Sequence, residues 1–286
     1  MWVLLAAALT CGAFPRLDRR ITAAVFFTAL LLAVYEKILG WPAILALIFF
    51  LLTAAAKNFF RSSRAFTVGG EVLLLLCSLG LFMHLFPGFH NPRVVDNIAI
   101  GPLSARFSLY LNIDKALVPV LLLACMPTLL SRPVPTHPRW FYWAGLALSI
   151  FALLCLATLL GGLRVEPHFP PWLGWFILSN FFFVALAEEA LFRGYLMQRL
   201  QDWTHNPAIA LGVSSLLFGL AHTAGGWMLV LFATLAGVIY GLAWLWSGKL
   251  WVSTLFHFLL NLIHLLFLPI LLSARRINFC QIYSVI

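Results

Sequence analysis

Long runs of apolar residues follow one another along most of this chain and limit what it can fold into. The sequence is 63% hydrophobic and 9% charged, whereas a soluble domain averages about 25% charged residues. A helix needs about 20 apolar residues to cross a bilayer, so shorter runs would be tilted, interfacial or re-entrant. We therefore predict an all-α fold, a polytopic bundle of eight to ten transmembrane helices. The runs are 2–14, 21–39, 42–56, 71–87, 116–130, 140–162, 173–198, 207–224, 227–247 and 250–271.

The stretch from Phe181 to Leu200 carries three charges inside such a run. They belong to Glu188, Glu189 and Arg193, and each costs roughly 2.5–3.5 kcal/mol at the centre of a membrane helix. They must face a protein interior or a water-filled cavity, which predicts a polar cavity enclosed by the bundle. Glu189 and Arg193 have the i, i+4 spacing of a pair on one helical face. Glu188 is rotated from Glu189 by about 100°, so one carboxylate is available for chemistry.

The basic residues favour a membrane orientation over nucleic-acid binding. The 18 Lys and Arg against 9 Asp and Glu form no basic groove with interleaved aromatic residues, so we expect no nucleic-acid partner. We expect a multi-pass protein of the cell (inner) membrane, whose basic loops face the cytoplasm. The Arg275-Arg276 tail fits this scheme only if one short run does not cross. The residues expected on the cytoplasmic side are Arg16, Arg19, Arg20, Lys57, Arg61, Arg64, Arg132, Arg139, Arg199 and Lys249.

Two other features have simple interpretations. The segment from Met1 to Phe14 lacks a basic start, and its charges follow the apolar run, so we expect a short membrane segment and not a cleaved leader. The cysteines lie in apolar runs without a C-x-x-C pair, so we expect small buried side chains and no disulfide framework or cysteine metal site. They are Cys11, Cys77, Cys125, Cys155 and Cys280.

The longest polar interval is the loop from Gly88 to Lys115. Val94–Ile100 and Arg106–Ile113 have strand-like composition on either side of Gly101-Pro102. One interpretation is a small hairpin that caps the membrane face or meets substrate. The other is an ordered connector.

Polar side chains recur on the later apolar runs. His222 follows Phe218 by four residues, and His257 and Asn261 form another i, i+4 pair. Each alone is explained by a hydrogen bond in a helix interface. Together with a free carboxylate they suit hydrolysis, since the carboxylate can take a proton from water while one histidine shares that water. A second histidine and the asparagine amide can donate hydrogen bonds to an oxyanion. One carboxylate and two imidazoles are also a ligand set for catalytic zinc.

The order of these motifs carries a family resemblance. E-E-x-x-x-R, F-x-x-x-H and H-x-x-x-N occur on successive apolar segments, and the stretch 237–257 adds small residues and an S-G-x-L-W turn. In this order they resemble the CAAX protease and bacteriocin-processing (Abi) family of intramembrane endopeptidases. The resemblance covers roughly 175–265. The motif residues are Glu188, Glu189, Arg193, Phe218, His222, His257 and Asn261.

The resemblance implies a helical fold around a conical, water-accessible cavity. By analogy Glu188 activates water with His222 as its partner, and His257 with Asn261 stabilises the oxyanion. The family has been described both as metalloproteases and as glutamic proteases. We favour no cofactor, with Zn²⁺ held by Glu188, His222 and His257 as the alternative. The positions expected to support the site are Glu189, Arg193 and Phe218.

The predicted function is hydrolysis of a peptide bond in a membrane-associated peptide or protein. The alternative within the family is a non-proteolytic protein, such as a bacteriocin immunity or scaffolding factor. A transporter or proton relay is disfavoured because we find no inverted repeat. We divide the chain into N-terminal transmembrane helices with the 88–115 loop (1–135) and a catalytic transmembrane domain (136–286), with the motifs in 175–265.

Overall fold

The computed structural model describes residues 1–12, 18–100, 104, 106–134 and 138–268. In these residues the chain forms ten α-helices and one two-stranded sheet, which confirms the predicted all-α polytopic bundle. The strands between α4 and α5 are β1 (Arg93–Ala99) and β2 (Arg106–Tyr110). The helices are α1 (Trp2–Gly12), α2 (Arg19–Tyr35), α3 (Trp41–Phe59), α4 (Arg64–Phe82), α5 (Ile113–Cys125), α6 (Trp140–Leu159), α7 (Leu173–Thr204), α8 (Pro207–Leu220), α9 (Trp227–Ser247) and α10 (Leu250–Phe267).

Six of the described helices are long and apolar enough to cross a membrane, namely α3, α4, α6, α7, α9 and α10. Helices α1 and α8 are apolar but shorter. Much of the apolar surface of α3 and α6 is exposed, as expected of helices that face lipid. Helix α7 is mostly buried, so it lies inside the bundle. These features make the protein an integral, multi-pass membrane protein.

Helix α4 begins seven residues before the apolar run 71–87 and ends five residues before the run does. The charge of Glu71 does not stop the helix, because its Oε1 accepts hydrogen bonds from the Tyr195 hydroxyl at 2.7 Å and from Arg199 Nε at 2.8 Å. The helix ends ahead of His84, which has a left-handed φ of 57°. A partnered carboxylate can therefore lie inside an apolar helix.

Helix α5 also differs from its apolar run, 116–130. It begins at Ile113 and ends at Cys125, because Met126 precedes a proline and is extended (φ −140°, ψ 103°). Nearly all of its side chains are buried, including that of Lys115. Helix α5 is thus a short central helix surrounded by other parts of the chain.

The connections gather at two ends of the bundle. At one end Ser131 forms a β-bridge with Lys249, and the N–H of Arg132 donates to the Gly248 carbonyl at 2.7 Å. We call this the basic end. Its basic residues are Arg19, Arg20, Lys57, Arg61, Arg64, Arg132, Arg139, Arg199 and Lys249.

At the other end, the hairpin end, Leu39 forms a β-bridge with Phe89. The N–H groups of Glu166 and His168 donate at 2.8 and 2.9 Å to carbonyls at the end of α10. The hairpin residues Val95 and Phe107 share an apolar cluster with Phe176 of α7 and Leu265 of α10, so the start of α7 and the end of α10 lie beside the hairpin. Arg16, Gly101-Pro102, Arg275-Arg276 and Cys280 were part of the sequence predictions and lie outside the described residues.

The hairpin interpretation of the 88–115 loop is the one found in the structure. Strands β1 and β2 pair antiparallel, with Arg93 opposite Tyr110 and Ala99 opposite Arg106. Register shifts interrupt the β1 side between these pairs, and Asn97 has a φ of 49°. Such bulges bend and twist a strand.

Candidate active site

The two adjacent glutamates on α7 face different surroundings. Helix α7 contains two π-helical stretches, Asn180–Ala185 and Ala190–Met197, with Glu188 and Glu189 between them. The Glu188 side chain lines an internal cavity, whereas Glu189 is fully buried beside Arg193. Because successive helical residues are about 100° apart, one helix presents one carboxylate to the cavity and one to the protein interior. Irregular helical turns of this kind are frequent at functional sites.

Arg193 is held by partners at two of its three nitrogens, while its buried Nε has no hydrogen-bond partner in the described residues. Its Nη1 donates to Glu189 Oε1 at 2.9 Å, as the i, i+4 spacing predicted, and its Nη2 donates to the Gly237 carbonyl at 3.0 Å. The guanidinium carbon lies 4.4 Å from the centroid of the Phe218 ring, within cation–π range. A Cβ at Gly237 would lie 2.9 Å from Nη2. The glycine therefore lets the backbone of α9 approach the guanidinium.

His257 joins the two glutamates. Its Nδ1 lies 2.9 Å from Glu189 Oε1, and its Nε2 lies 3.8 Å from Glu188 Oε2. A carboxylate only accepts hydrogen bonds, so Nδ1 donates and Nε2 is directed toward Glu188. The ring stacks on Tyr240, with centroids 4.6 Å and planes 9° apart. Glu189 therefore orients His257 in addition to pairing with Arg193, a contact that the sequence analysis did not anticipate.

His222 lies just beyond the end of α8. Its Nδ1 donates to the Phe218 carbonyl at 2.8 Å, which leaves Nε2 for the cavity that His222 shares with Glu188. Within the described chain these two residues form no ion pair. The Phe218 ring lies 4.8 Å from the His222 ring and 5.7 Å from the His257 ring. Phe218 thus packs near both imidazoles and covers the guanidinium of Arg193.

Asn261 is one turn along α10 from His257 and lines the same cavity. Its Nδ2 donates to Asn180 Oδ1 at 3.2 Å. An amide group has two N–H donors, so the second stays available to a ligand. Sequence analysis missed Asn180, although a lone asparagine inside an apolar run was the same signal that singled out Asn261.

The cavity has a volume of about 330 Å³, at the lower end of the range for ligand sites, ~300–1,000 Å³. Most of its wall is apolar, and α6, α7, α9, α10 and β2 all contribute to it. Glu188 Oε1 is buried and has no hydrogen-bond partner in the described residues. A buried, unpartnered carboxylate oxygen is costly, so it is a natural position for a water molecule or a polar group of a ligand. The polar residues of the wall are Ser108, Tyr110, Asn112, Ser179, Asn180, Glu188, His222, Tyr240, His257, Asn261 and His264.

The zinc alternative can be compared with this geometry. Among the described residues no three His, Cys, Asp or Glu side chains are placed to hold a metal ion. His257 directs Nδ1 to Glu189, and His222 lies outside ion-pair distance of Glu188 among the described contacts. Glu188, His222 and His257 share a cavity but do not converge as a ligand set in this structure.

Comparison with known proteins points to the same part of the chain as the location of the site. Residues 170–263 match the family model described as type II CAAX prenyl endopeptidase Rce1-like. This segment includes every motif residue named above, and the match confirms the predicted family resemblance.

One curated relative also matches. It is the uncharacterized protein YpbD of Bacillus subtilis (strain 168), which is 32% identical over 80 residues. The aligned part covers 27% of this chain and 38% of YpbD, so the chain spans well under half the length of this relative. No solved structure matches at a comparable level of significance.

Proposed function

We propose that the protein is an intramembrane endopeptidase that hydrolyses a peptide bond of a membrane-associated peptide or protein. The observation that carries the proposal is the setting of Glu188. Its carboxylate is buried in a cavity within the bundle, has one oxygen without a partner among the described residues and lies beside an oriented histidine. The match to an endopeptidase family over 170–263 supports the same class of reaction.

In the proposed mechanism Glu188 is the general base. A water molecule bound at Glu188 Oε1 loses a proton to the carboxylate, and its oxygen forms a bond to the carbonyl carbon of the substrate. The π electrons of the carbonyl move to its oxygen and create a tetrahedral oxyanion. When the oxyanion collapses, the C–N bond breaks and the leaving nitrogen takes the proton that Glu188 accepted from the water, which restores the carboxylate. His222 can relay that proton, because its Nδ1–H is held by a backbone carbonyl and its Nε2 is left to exchange protons.

His257 and Asn261 are proposed to stabilise the oxyanion. The distance of 3.8 Å between His257 Nε2 and Glu188 Oε2 is too long for a hydrogen bond, so Nε2 stays available to a group that approaches from the cavity. When His257 is protonated, Nδ1–H stays on Glu189 and Nε2–H can donate to the oxyanion. Asn261 supplies its second amide N–H. Preorganised donors of this kind, kept away from bulk water, usually make the largest electrostatic contribution to catalysis.

Glu189 and Arg193 are proposed to position this machinery. The Glu189 carboxylate fixes which nitrogen of His257 faces the cavity and stabilises the imidazolium. Arg193 balances the Glu189 charge inside the bundle, since removal of one partner from a buried pair leaves an uncompensated charge. We propose the cell membrane as the location and lipid and a membrane-associated peptide or protein as the partners.

Proteolysis by the purified protein in detergent or vesicles tests the proposal. A panel of peptides that includes a prenylated CAAX peptide is incubated with wild type and Glu188→Gln, each with and without a strong chelator. We expect cleavage by wild type in both conditions and at least a thousandfold loss in Glu188→Gln, on the order expected for a lost general base and its water.

Two results would change the account. Cleavage that stops with the chelator and returns with zinc would replace the metal-independent mechanism. A Glu188→Gln protein that cleaves as fast as wild type would overturn the role of Glu188 as the general base. A Glu188→Gln protein that has lost cleavage but still performs the cellular task would overturn the endopeptidase assignment and favour an immunity or scaffolding role.

A further inference from the structure

Strand β2 runs along the first part of α7 toward the cavity. The Phe107 ring stacks on Trp172, with centroids 5.0 Å and planes 14° apart, and its centroid lies 6.4 Å from that of Phe176. Farther along β2, the Tyr110 carbonyl accepts a hydrogen bond from Ser179 Oγ at 2.7 Å. These α7 contacts occur in the same order as the β2 residues. The strand therefore descends from the hairpin end beside the helix that carries the glutamates.

The same strand turns its edge toward the cavity. Phe107, Ser108, Leu109 and Tyr110 all line it. Side chains of successive strand residues point to opposite faces, so a strand whose consecutive residues all border one space presents its edge to that space. In the described part of the chain the sheet consists of β1 and β2 alone, so β1 occupies the other edge. On the edge that faces away from β1, the Tyr110 carbonyl is already bonded to Ser179, which leaves the groups before it for a third strand. The N–H and C=O groups along a strand edge are a template for another extended chain.

An intramembrane protease must supply hydrogen-bond partners to the backbone of its substrate, which such an edge can do. The backbone groups of a membrane helix are all bonded within the helix, so a segment must unwind before its carbonyl can be attacked. Each N–H and C=O released in this way needs a new partner, since an unpaired backbone group away from water costs as much as a lost hydrogen bond. The apolar side chains that make up most of the cavity wall cannot provide those partners. The N–H and C=O groups along the edge of a strand can provide them.

We propose that β2 is the substrate-binding strand of this protein, and that an extended peptide pairs along its cavity-facing edge as a third strand. The inference rests on the proposed endopeptidase function and names the form in which its substrate binds. The occupant is an unwound segment of the substrate, because the same cavity holds both the strand edge and Glu188. The hairpin lies outside the family match at 170–263, so substrate selection would be assigned to a part of this chain that the match does not cover.

The position of the cleaved bond follows from the geometry. Ser179, which bonds to the end of β2, lies nine positions before Glu188 on α7. At about 1.5 Å per residue the separation is roughly 13 Å along the helix axis, which an extended peptide covers in about four residues at ~3.3 Å each. We therefore expect cleavage about four residues beyond the part of the substrate that pairs with β2.

Photo-crosslinking tests the inference in the full-length protein. A photoreactive p-benzoylphenylalanine replaces Ser108 on β2 or, in the control, Leu52, which is 62% exposed on α3. The probe is a fluorescent pool of ten-residue peptides. The captured sequence is then resynthesised as a set in which one backbone amide at a time is N-methylated. Cleavage of the same peptides by the unsubstituted protein is followed in parallel.

We expect strong crosslinking from position 108 and little from position 52. N-methylation at every second residue should lower crosslinking about threefold to tenfold, as for one lost hydrogen bond, because alternate amides of a strand face the pairing partner. Two results would overturn the inference: crosslinking from position 108 that is no stronger than from position 52, or N-methyl effects that do not recur at every second residue. Cleavage of the peptides by the unsubstituted protein would then still support the protease. Strong crosslinking from position 108 with N-methyl effects at every second residue, but without any cleavage, would keep β2 as a peptide-binding strand and count against the endopeptidase function.

Discussion

The adjacent residues Glu188 and Glu189 should respond in opposite ways to the same substitution. Glu188→Gln should abolish cleavage and leave stability nearly unchanged. Glu189→Gln should lower stability strongly. Both substitutions replace a carboxylate with an amide of almost the same shape, so each serves as the matched control for the other.

The magnitude for Glu189→Gln follows from its two hydrogen bonds. Glu189 Oε1 accepts from Arg193 Nη1 and from His257 Nδ1, each at 2.9 Å, and all three side chains are buried. Removing one partner from a buried charge pair costs about 3–5 kcal/mol. At about 2 °C per kcal/mol for a chain of this size, the melting temperature should fall by roughly 6–10 °C.

The expectation for Glu188→Gln differs because of its contacts. Glu188 Oε1 has no hydrogen-bond partner in the described residues, and Oε2 lies 3.8 Å from His257 Nε2, beyond hydrogen-bond distance. The melting temperature should therefore stay within about 2 °C of wild type. Thermal unfolding in detergent, followed by circular dichroism or intrinsic fluorescence, measures both variants. Equal destabilisation by the two substitutions, or a larger loss from Glu188→Gln, would refute the division of roles.

Three further predictions concern residues around the site. Gly237→Ala should lower stability by about 1–3 kcal/mol, because its Cβ would lie 2.9 Å from a buried guanidinium nitrogen. Gly212→Ala, with nothing within 4 Å of the added Cβ, is the control and should be neutral or slightly stabilising in the same thermal assay. Asn180→Leu removes the acceptor for Asn261 and should lower kcat by up to about tenfold with little change in KM, whereas equal effects on both constants would argue against a positioning role. Tyr240→Phe keeps the ring stacked on the imidazole and should retain activity, while Tyr240→Leu should lose most of it in the peptide assay; equal activities would show that the ring is not needed.

Much of the fold follows from the sequence because lipid leaves few alternatives. Apolar length alone predicted the helices, and the cost of a charge in hydrocarbon predicted that Glu188, Glu189 and Arg193 face inward. The Glu189–Arg193 pair follows from helical spacing and is present at 2.9 Å. A local rule also explains one of the errors, the end of α5: the chain after Met126 leaves the helix ahead of a proline.

The rest depends on contacts between distant segments, which spacing does not encode. The bond from His257 to Glu189 forms because α10 packs against α7, and nothing within either segment predicts it. Glu71 appeared to mark the start of an apolar run, yet it lies inside α4 because Tyr195 and Arg199 from α7 satisfy it. The strand-like composition of Arg106–Ile113 made a hairpin one of two interpretations, but the position of β2 along the cavity wall depends on how the hairpin packs on α7.

The central claim is that Glu188 activates a water molecule that attacks the peptide bond. The most direct measurement is a single-turnover reaction in H₂¹⁸O with a peptide that the wild-type protein cleaves, followed by mass spectrometry of the products and of the protein. We predict one ¹⁸O atom in the new carboxylate of the product, none in Glu188, and no product from Glu188→Gln. A label in Glu188, a product without ¹⁸O, or normal turnover by Glu188→Gln would contradict the account.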